Sequence, residues 1–287
     1  MAQPTPPVPP APRNVGEVFD DGAEGFAAWT PLLWDPVGAA TVAAAGLAPG
    51  ERVLDACCGA GSAAVPAGHA VGAEGRVDAV DLAARLLADG RGRAEREGLD
   101  QVAFHHADVT AWQPPDGRPY DAVLCVFGVF FLPDMDTAAA RLLRLARPGG
   151  RFALTVWERG SLEPLTDPFG RATAAERAAA GLAPPARGPA LSAYERLGDA
   201  DGLTGWLRGL GAGAPAVRPF TLDIPLTPDL AWRFLTGAAP RAQLHGLDPA
   251  AVTRVREAFT ADLAADGPAV FRASALIATG TRPSGCP

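Results

Sequence analysis

Residues 53–68, VLDACCGAGSAAVPAG, constrain the fold more than any other stretch of this chain. An apolar run ends at Asp55, a turn of small residues follows, and the next residues predict a helix. Gly59, Gly61 and Ala64 match the pattern G-x-G-x-x-[GA]. That pattern is typical of the turn between the first strand and the first helix of a nucleotide-binding α/β sheet, because its glycines let the backbone approach a ligand closely.

Two carboxylates flank this turn. Asp81 lies twenty residues beyond Gly61, where an acid that binds ribose hydroxyls is expected, and this spacing alone would suit NAD, FAD or S-adenosylmethionine. Asp55, four residues ahead of Gly59, favours the last of these. A carboxylate repels a pyrophosphate, whereas it attracts a sulfonium ligand that also carries an ammonium group. The alternative, that Asp55 only caps the following helix, stays open.

The rest of the chain alternates apolar and helical segments. The pattern predicts strands at 52–55, 76–80, 102–105, 121–127 and 150–157, and helices at 62–71, 83–97, 136–147 and 205–210. This alternation predicts an α/β fold with a mostly parallel sheet and helices on both faces. Two later strands, at 217–226 and 269–282, predict an antiparallel hairpin at the sheet edge, with helices from 228 and over 249–265 between them.

We expect a Pro-rich tail and then one domain. The tail, residues 1–14, is expected to be disordered or extended. The domain is expected to divide into N-terminal lid helices (15–48), a cofactor-binding core (50–157), a substrate cap (158–204) and C-terminal helices and strands (205–287). The cap boundary rests on a change of composition at Glu158, after which Pro, Gly, Arg and Ala dominate.

Composition narrows the functional classes. A net charge of -7 argues against a nucleic-acid partner. The four cysteines lack the spacing of metal ligands, so we expect no metal site, and reduced thiols in a cytoplasmic protein. The first residues lack the basic and apolar regions of a secretory signal, and the longest apolar run, Ala122–Pro133, is too short to span a bilayer. We therefore expect no membrane partner.

Five motifs occur in one order along the chain: VLDACCGAG, AVD, HAD, a fourth strand that ends in aromatic residues and LPD, and RPGGRF. Over roughly residues 50–157, the set resembles a class I S-adenosylmethionine-dependent methyltransferase of the ubiquinone/menaquinone-biosynthesis type and its small-molecule relatives. Cys57 stands at the first glycine position of the family's turn. The resemblance implies a Rossmann-like, seven-stranded, mostly parallel sheet with an antiparallel last strand, an N-terminal helical lid and a helical cap inserted after strand five.

The resemblance also implies S-adenosylmethionine as the cofactor, and it implies which residues contact each part of that cofactor. Backbone around Asp55, Ala56 and Gly59 would contact the methionyl group, Asp81 the ribose, Asp108 with Val109 the adenine, and Phe127 the ammonium. From its place after the third predicted strand alone, Asp108 could equally be an ordinary loop aspartate. The expected cofactor site therefore comprises Asp55, Ala56, Gly59, Gly61, Asp81, Leu82, Asp108, Val109 and Phe127.

A methyltransferase needs mainly proximity and orientation, and a general base only where the acceptor must lose a proton early. His245 is our first candidate for that base, while the other three histidines are expected to be structural or exposed. Aromatic side chains are expected to line an apolar substrate pocket, although each of them could instead belong to the core. These candidates are Phe26, Trp29, Trp34, Phe130, Trp157, Trp232 and Phe234.

We expect an enzyme that methylates oxygen, nitrogen or carbon of a small organic molecule in secondary or cofactor metabolism. One alternative is a cyclase that binds the same sulfonium without consuming it. A second is an NAD-dependent oxidoreductase. Asp55 argues against it, and so does the lack of any lysine in the sequence, which excludes a Tyr-x-x-x-Lys pair. A third is a binding module that docks through residues 158–215. The sequence leaves open the acceptor and whether the protein is a monomer or a homodimer.

Overall fold

A computed structural model describes residues 15–184 and 189–285, and in it seven strands form one sheet with the order β3-β2-β1-β4-β5-β7-β6. Strands β1 to β5 pair in parallel, and β7 lies antiparallel to both of its neighbours, β5 and β6. The strands are β1 Arg52–Ala56, β2 Arg76–Asp81, β3 Val102–His106, β4 Tyr120–Val126, β5 Ala146–Trp157, β6 Gly213–Pro225 and β7 Val270–Thr281. The predicted fold class, with its antiparallel last strand, is confirmed.

Helices cover both faces of the sheet. They are α1 Val15–Asp21, α2 Ala23–Trp29, α3 Asp35–Ala45, α4 Ala64–Val71, α5 Ala84–Arg96, α6 Met135–Leu145, α7 Glu163–Ala179, α8 Pro189–Leu197, α9 Ala200–Gly209, α10 Pro228–Gly237 and α11 Pro249–Asp266. Short turns of other helical types lie at Thr30–Trp34, Val129–Phe131 and Ala239–Leu244.

The core has two layers because the central strands of the sheet bury both faces. Val53 and Leu124 belong to the layer beneath α3, α4 and α5, whereas Leu54 packs on the other side with Leu142 of α6 and Leu207 of α9. Strands buried on both sides are apolar along their whole length, which is why β1 and β4 appear in the sequence as continuous apolar runs. Because these strands run parallel, the carboxyl ends of β1, β2 and β4 lie at one edge of the sheet.

Local capping explains several element boundaries. The side chain of Thr227 accepts a hydrogen bond from the N–H of Leu230 and caps α10, as its sequence predicts. The predicted helix at 205–210 is too short, because Asp199 caps the N-terminus of α9 through Gly202 and the helix begins at Ala200. The predicted strand at 150–157 also begins earlier, at Ala146. The expected Pro-rich tail lies outside the described residues, and the proposed division of the domain stays a prediction.

The N-terminal helices lie over the carboxyl edge of the sheet, and glycines let them approach closely. A Cβ atom on Gly16 of α1 would lie 2.6 Å from the carbonyl oxygen of Leu82, just after β2. A Cβ on Gly25 of α2 would lie 2.5 Å from the carbonyl oxygen of Arg233 in α10, and one on Gly237 would press on the backbone of α2. The helix pair α2–α10 therefore packs backbone against backbone. In the described part of the chain, we find no helix both long and apolar enough to cross a membrane.

Gly237→Ala tests this close contact. The added methyl group has no space against α2, so we expect the free energy of unfolding to fall by about 2 kcal/mol, as for other overpacked cores. The matched control is Gly205→Ala in α9, where a Cβ meets nothing within 4 Å. Alanine's better helix propensity should stabilise that variant by up to about 1 kcal/mol. Urea unfolding measures both, and equal effects at the two sites would contradict the packing described here.

Candidate active site

The turn after β1 uses backbone conformations that favour glycine. Gly59 and Gly61 have φ values of 52° and 78°. A Cβ on Gly61 would also lie 2.9 Å from the ring of Phe104, so this position has neither the conformation nor the space for a side chain. Cys57, at the glycine position of the family's turn, has a φ of 59°, which is strained for a residue with a side chain. The turn therefore holds its backbone close to the sheet edge.

Asp55 closes β1 beneath this turn and is almost completely buried, at 1% exposure. Neither of its carboxylate oxygens has a hydrogen-bond partner in the described part of the chain. Burial, and then the negative charge of Asp81, raise the pKa of Asp55 to about 8, and the backbone of Ala64 offsets this only in part. An unpaired carboxyl group in such a place is costly, and a cation beside it would remove the cost.

Asp81, at the end of β2, holds the turn from the other side. One carboxylate oxygen accepts the N–H of Gly59 at 2.8 Å, and the other accepts the N–H of Ala83 at 2.8 Å. Burial raises the pKa of Asp81 above its usual range, although these backbone donors act against it. Each carboxylate oxygen has a second lone pair, so the pair can still accept from two hydroxyl groups. Leu82 follows directly and lies against α1.

Asp108 and Val109 lie in the loop after β3. One carboxylate oxygen of Asp108 accepts the backbone N–H of Thr110 at 2.8 Å and its hydroxyl at 2.7 Å, while the side chain as a whole is exposed. Val109 is buried, and Arg141 of α6 donates to the carbonyl oxygens of Val109 and Trp112. The loop is therefore fixed at both ends, with one carboxylate oxygen of Asp108 left for a ligand.

A buried polar chain that the sequence analysis missed supports this loop. The indole N–H of Trp112 donates to the hydroxyl of Tyr120 at 3.0 Å, and that hydroxyl donates to Asp78 in β2 at 3.0 Å. Burial acts to raise the pKa of Asp78, but hydrogen bonds from His105, Arg76 and Tyr120 lower it to about 2. His105 thus has the structural role expected of it. The one sequence signal was an aspartate inside the apolar strand RVDAVD.

Phe127 directly follows β4 and belongs to a cluster of aromatic rings. Its ring stacks on Trp157 at the end of β5, with centroids 4.2 Å apart. Trp34, from the turn between α2 and α3, stands edge-on to both, at 5.9 and 6.3 Å. Phe26 and Phe234 stack on Trp34 at 5.0 and 6.0 Å. We call these five residues the aromatic cluster: Phe26, Trp34, Phe127, Trp157 and Phe234.

Phe26 places the cluster beside the glycine turn. A Cβ on Gly59 would lie 3.4 Å from its ring. Trp29 lies behind the cluster, fully buried, with its ring 5.0 Å from Phe234 and its indole N–H on the carbonyl of Leu230. The turn and the lid aromatics are therefore neighbours in space, and the substrate role of these residues stays a prediction.

Two further residues predicted to bind substrate, Trp232 and Phe130, pack against other aromatic rings. Trp232 packs with Phe169 of α7 and Phe259 of α11, with centroids 6.0 and 6.2 Å away. It points to a different side of α10 from Phe234, as their spacing of two residues predicts. Phe130 is buried, with its ring 6.2 Å from that of Phe131.

His245 follows the turn Ala239–Leu244, near α1. Its carbonyl accepts a hydrogen bond from Arg177 at 2.7 Å. Partial burial and the positive charges of Arg241 and Arg177 lower the pKa of its imidazole, and Asp21 acts in the opposite direction. The ring is therefore neutral and able to accept a proton at neutral pH. Its catalytic role stays a prediction.

The comparison with protein families can now be set beside this site. Residues 53–150 match a family model described as a methyltransferase domain. The match covers about a third of the chain, and these residues are similar to that domain. They include Asp55, the glycine turn, Asp81 and the Asp108 loop.

Individual proteins are also similar to this chain. An uncharacterized protein of Mycobacterium tuberculosis is 38% identical over 122 residues, which are 42% of this chain and 43% of that protein. The aklanonic acid methyltransferase DauC of Streptomyces is 32% identical over 143 residues, which are 50% of this chain and 64% of DauC. The chain thus spans about half the length of the curated relatives it matches. The solved structure of YcgJ from Bacillus subtilis covers 87% of this chain and 99% of its own, with 16% identity and a TM-score of 0.52, and shows the fold alone.

Asp55→Asn tests the buried carboxyl group in the ligand-free protein. The folded-state pKa of Asp55, about 8, lies above the ordinary aspartate pKa of 3.8, so the folded state binds more protons than the unfolded state. Stability that is present at low pH is therefore lost as the pH rises from about 4 towards 8. Between pH 5.5 and 8.5, the stability of the variant relative to the natural protein should increase by about 3 kcal/mol, because each pH unit below the folded-state pKa contributes about 1.4 kcal/mol.

Urea unfolding at several pH values measures this difference. Asp223→Asn, at an exposed carboxylate in β6, is the control and should follow the natural protein. If the difference in free energy of unfolding between Asp55→Asn and the natural protein does not change with pH, the raised pKa of Asp55 is contradicted.

Proposed function

We propose that this protein transfers a methyl group from S-adenosylmethionine to oxygen, nitrogen or carbon of a small organic molecule. The observation that carries the proposal is the buried, unpartnered carboxylate of Asp55 beside the glycine turn. A ligand with a sulfonium and an ammonium group supplies the positive charge that this carboxylate lacks. NAD would instead bring a pyrophosphate to the same place, so the same observation argues against an oxidoreductase.

The residues of the methyltransferase domain fit the parts of this cofactor. Asp81 keeps a free lone pair on each oxygen for the two ribose hydroxyls, and Asp108 keeps one carboxylate oxygen for the amine of adenine. When bound, the cofactor supplies an activated methyl group on a sulfonium centre. The protein then has to exclude water and orient the acceptor, which is the main requirement for such a transfer.

The aromatic cluster supports an apolar acceptor. Trp34, Phe127 and Trp157 lie where β4 and β5 end, next to the glycine turn, so this end of the sheet is apolar. Aromatic faces also attract a cation, which favours placing a sulfonium there. The relative DauC is named for methylation of an organic acid, and a small organic acceptor for this chain is in line with that name.

Proton removal requires a residue outside the aromatic cluster, whose five members do not titrate. His245 stays the candidate for this role. Its lowered pKa keeps the imidazole neutral, and it lies beside Asp21 and Arg241, outside the aromatic cluster. An acceptor that is already a good nucleophile needs no base. The proposal also includes a cytoplasmic location, on the ground that the cysteine pattern is that of free thiols, and a monomer or a homodimer.

Asp81→Asn tests the cofactor assignment. Loss of the charge weakens hydrogen bonds to the ribose hydroxyls, so the affinity for S-adenosylmethionine should fall about tenfold or more. Titration calorimetry measures this, with Asp223→Asn as an exposed control and with NAD as a ligand that should not bind. Unchanged affinity in Asp81→Asn would contradict the position of the adenosine site.

Turnover separates the proposed methyl transfer from cyclisation. With a panel of small aromatic acceptors, the natural protein should convert S-adenosylmethionine to S-adenosylhomocysteine. A protein that binds the cofactor and rearranges a substrate without consuming the cofactor would instead be the cyclase alternative.

A further inference from the structure

A cleft of about 410 Å³ lies on the outer side of the lid, bordered by the α1–α2 junction, the start of α5, α10 and α11. It is apart from the aromatic cluster, and neither the domain match nor the proposed methyl transfer uses it. Four arginines are its most prominent feature. We call it the arginine cleft, after Arg85, Arg233, Arg241 and Arg256.

The guanidinium groups of these arginines are only partly used within the protein. Arg233 and Arg256 share one carboxylate, that of Asp229, each at 2.8 Å. Arg241 donates to the carbonyl of Thr236 at 3.3 Å, and Arg85 to that of Asp20 at 2.9 Å. Among residues 15–184 and 189–285, neither Arg241 nor Arg85 has an acidic partner within salt-bridge distance. A guanidinium has five N–H donors, so most donors in the cleft are free for a ligand.

The charges in the cleft favour an anionic ligand. Three acids, Asp21, Glu24 and Asp229, also line it, so the lining side chains carry a net charge of +1. The nearby carboxylate of Asp20 is already used, because it accepts the backbone N–H groups of Ala84 and Arg85. Arg233 and Arg256 both bind the carboxylate of Asp229. The volume is within the range of small-molecule sites, and half-buried Trp232 offers an apolar surface at the wall. Arginine binds the planar or tetrahedral oxygens of carboxylate and phosphate groups in a bidentate way.

The helix pair α2–α10 separates this cleft from the aromatic cluster. Phe234 of α10 points inward to Trp34, whereas Trp232 and Arg233 line the cleft. Between the two sides, Gly25 and Gly237 bring the helix backbones together without space for even a methyl group. A ligand in the cleft therefore does not reach the aromatic cluster between these helices, which makes the cleft a second site.

We propose that the arginine cleft binds a small molecule that carries two or more phosphate or carboxylate groups. Such a ligand would contact α5 through Arg85 and the C-terminal helices through Arg241 and Arg256, with the lid between them. Its binding would hold these three parts together and stabilise the folded protein. The proposal does not depend on the methyl transfer proposed above, because no residue of the cofactor site takes part.

Titration calorimetry with inorganic pyrophosphate and with citrate tests the proposal on the full chain. We expect saturable binding of at least one probe at constant ionic strength. Arg241→Gln and Arg85→Gln should each weaken it about tenfold or more, because each removes a charged bidentate donor. Neither arginine takes part in an ion pair with a described residue, so both variants should fold, which circular dichroism checks. Arg272→Gln, at an exposed arginine of β7 outside the cleft, is the matched control and should bind like the natural protein.

The two probes distinguish the sources of the anionic groups. Binding of pyrophosphate alone assigns the cleft to phosphate compounds, citrate alone to carboxylates, and both to anions of either kind. Each of these results supports the site if the two cleft variants weaken binding and the control does not. Absence of saturable binding to either probe, or equal binding by Arg241→Gln and Arg272→Gln, would overturn the proposal. Affinity for S-adenosylmethionine, measured in parallel, reports separately on the methyltransferase site.

Discussion

The cofactor turn is organised around the buried carboxyl group of Asp55. The backbone N–H of Gly59 donates to Asp81, and the side-chain oxygens of Asp55 have no hydrogen-bond partner in the described residues. Burial and the charge of Asp81 outweigh the effect of the Ala64 backbone and raise the pKa of Asp55 to about 8. Active sites often contain groups that are unfavourable until a ligand arrives, and the loss of stability is tolerated because a well-packed sheet surrounds them.

The N-terminal helices α1 and α2 connect this turn with the rest of the chain. Close contacts at Gly16, Gly25 and Gly237 let α1 and α2 lie directly on the sheet edge and on α10. As a result, Phe26 and Trp34 of the lid reach the aromatic rings at the ends of β4 and β5. Helix α10 has two functions in this arrangement, because it presents Phe234 to the aromatic cluster on one side and Arg233 to the arginine cleft on the other.

Sequence predicts the local parts of this structure well and its long-range contacts poorly. The turn at Gly59 and Gly61 and the acid at Asp81 follow from spacing, because a strand, a tight turn and a helix of fixed length determine where they lie. The chain from Trp112 through Tyr120 to Asp78 has no local pattern, since its members meet only once β2 and β4 are in one sheet. For the same reason, periodicity on α10 separates Trp232 from Phe234 but does not say which of them meets the lid.

The most direct test of this account is the pH dependence of the affinity for S-adenosylmethionine, by calorimetry between pH 5.5 and 7.5 in buffers of different ionisation enthalpy. A cationic ligand favours the charged carboxylate, so binding to the natural protein should release a proton from Asp55. The affinity of the natural protein for S-adenosylmethionine should then rise by up to about tenfold per pH unit. Asp55→Asn is the control for the titration of the ligand itself. It should lack both the proton release and the pH dependence that come from Asp55. The same pH dependence and proton release in both proteins would contradict the account.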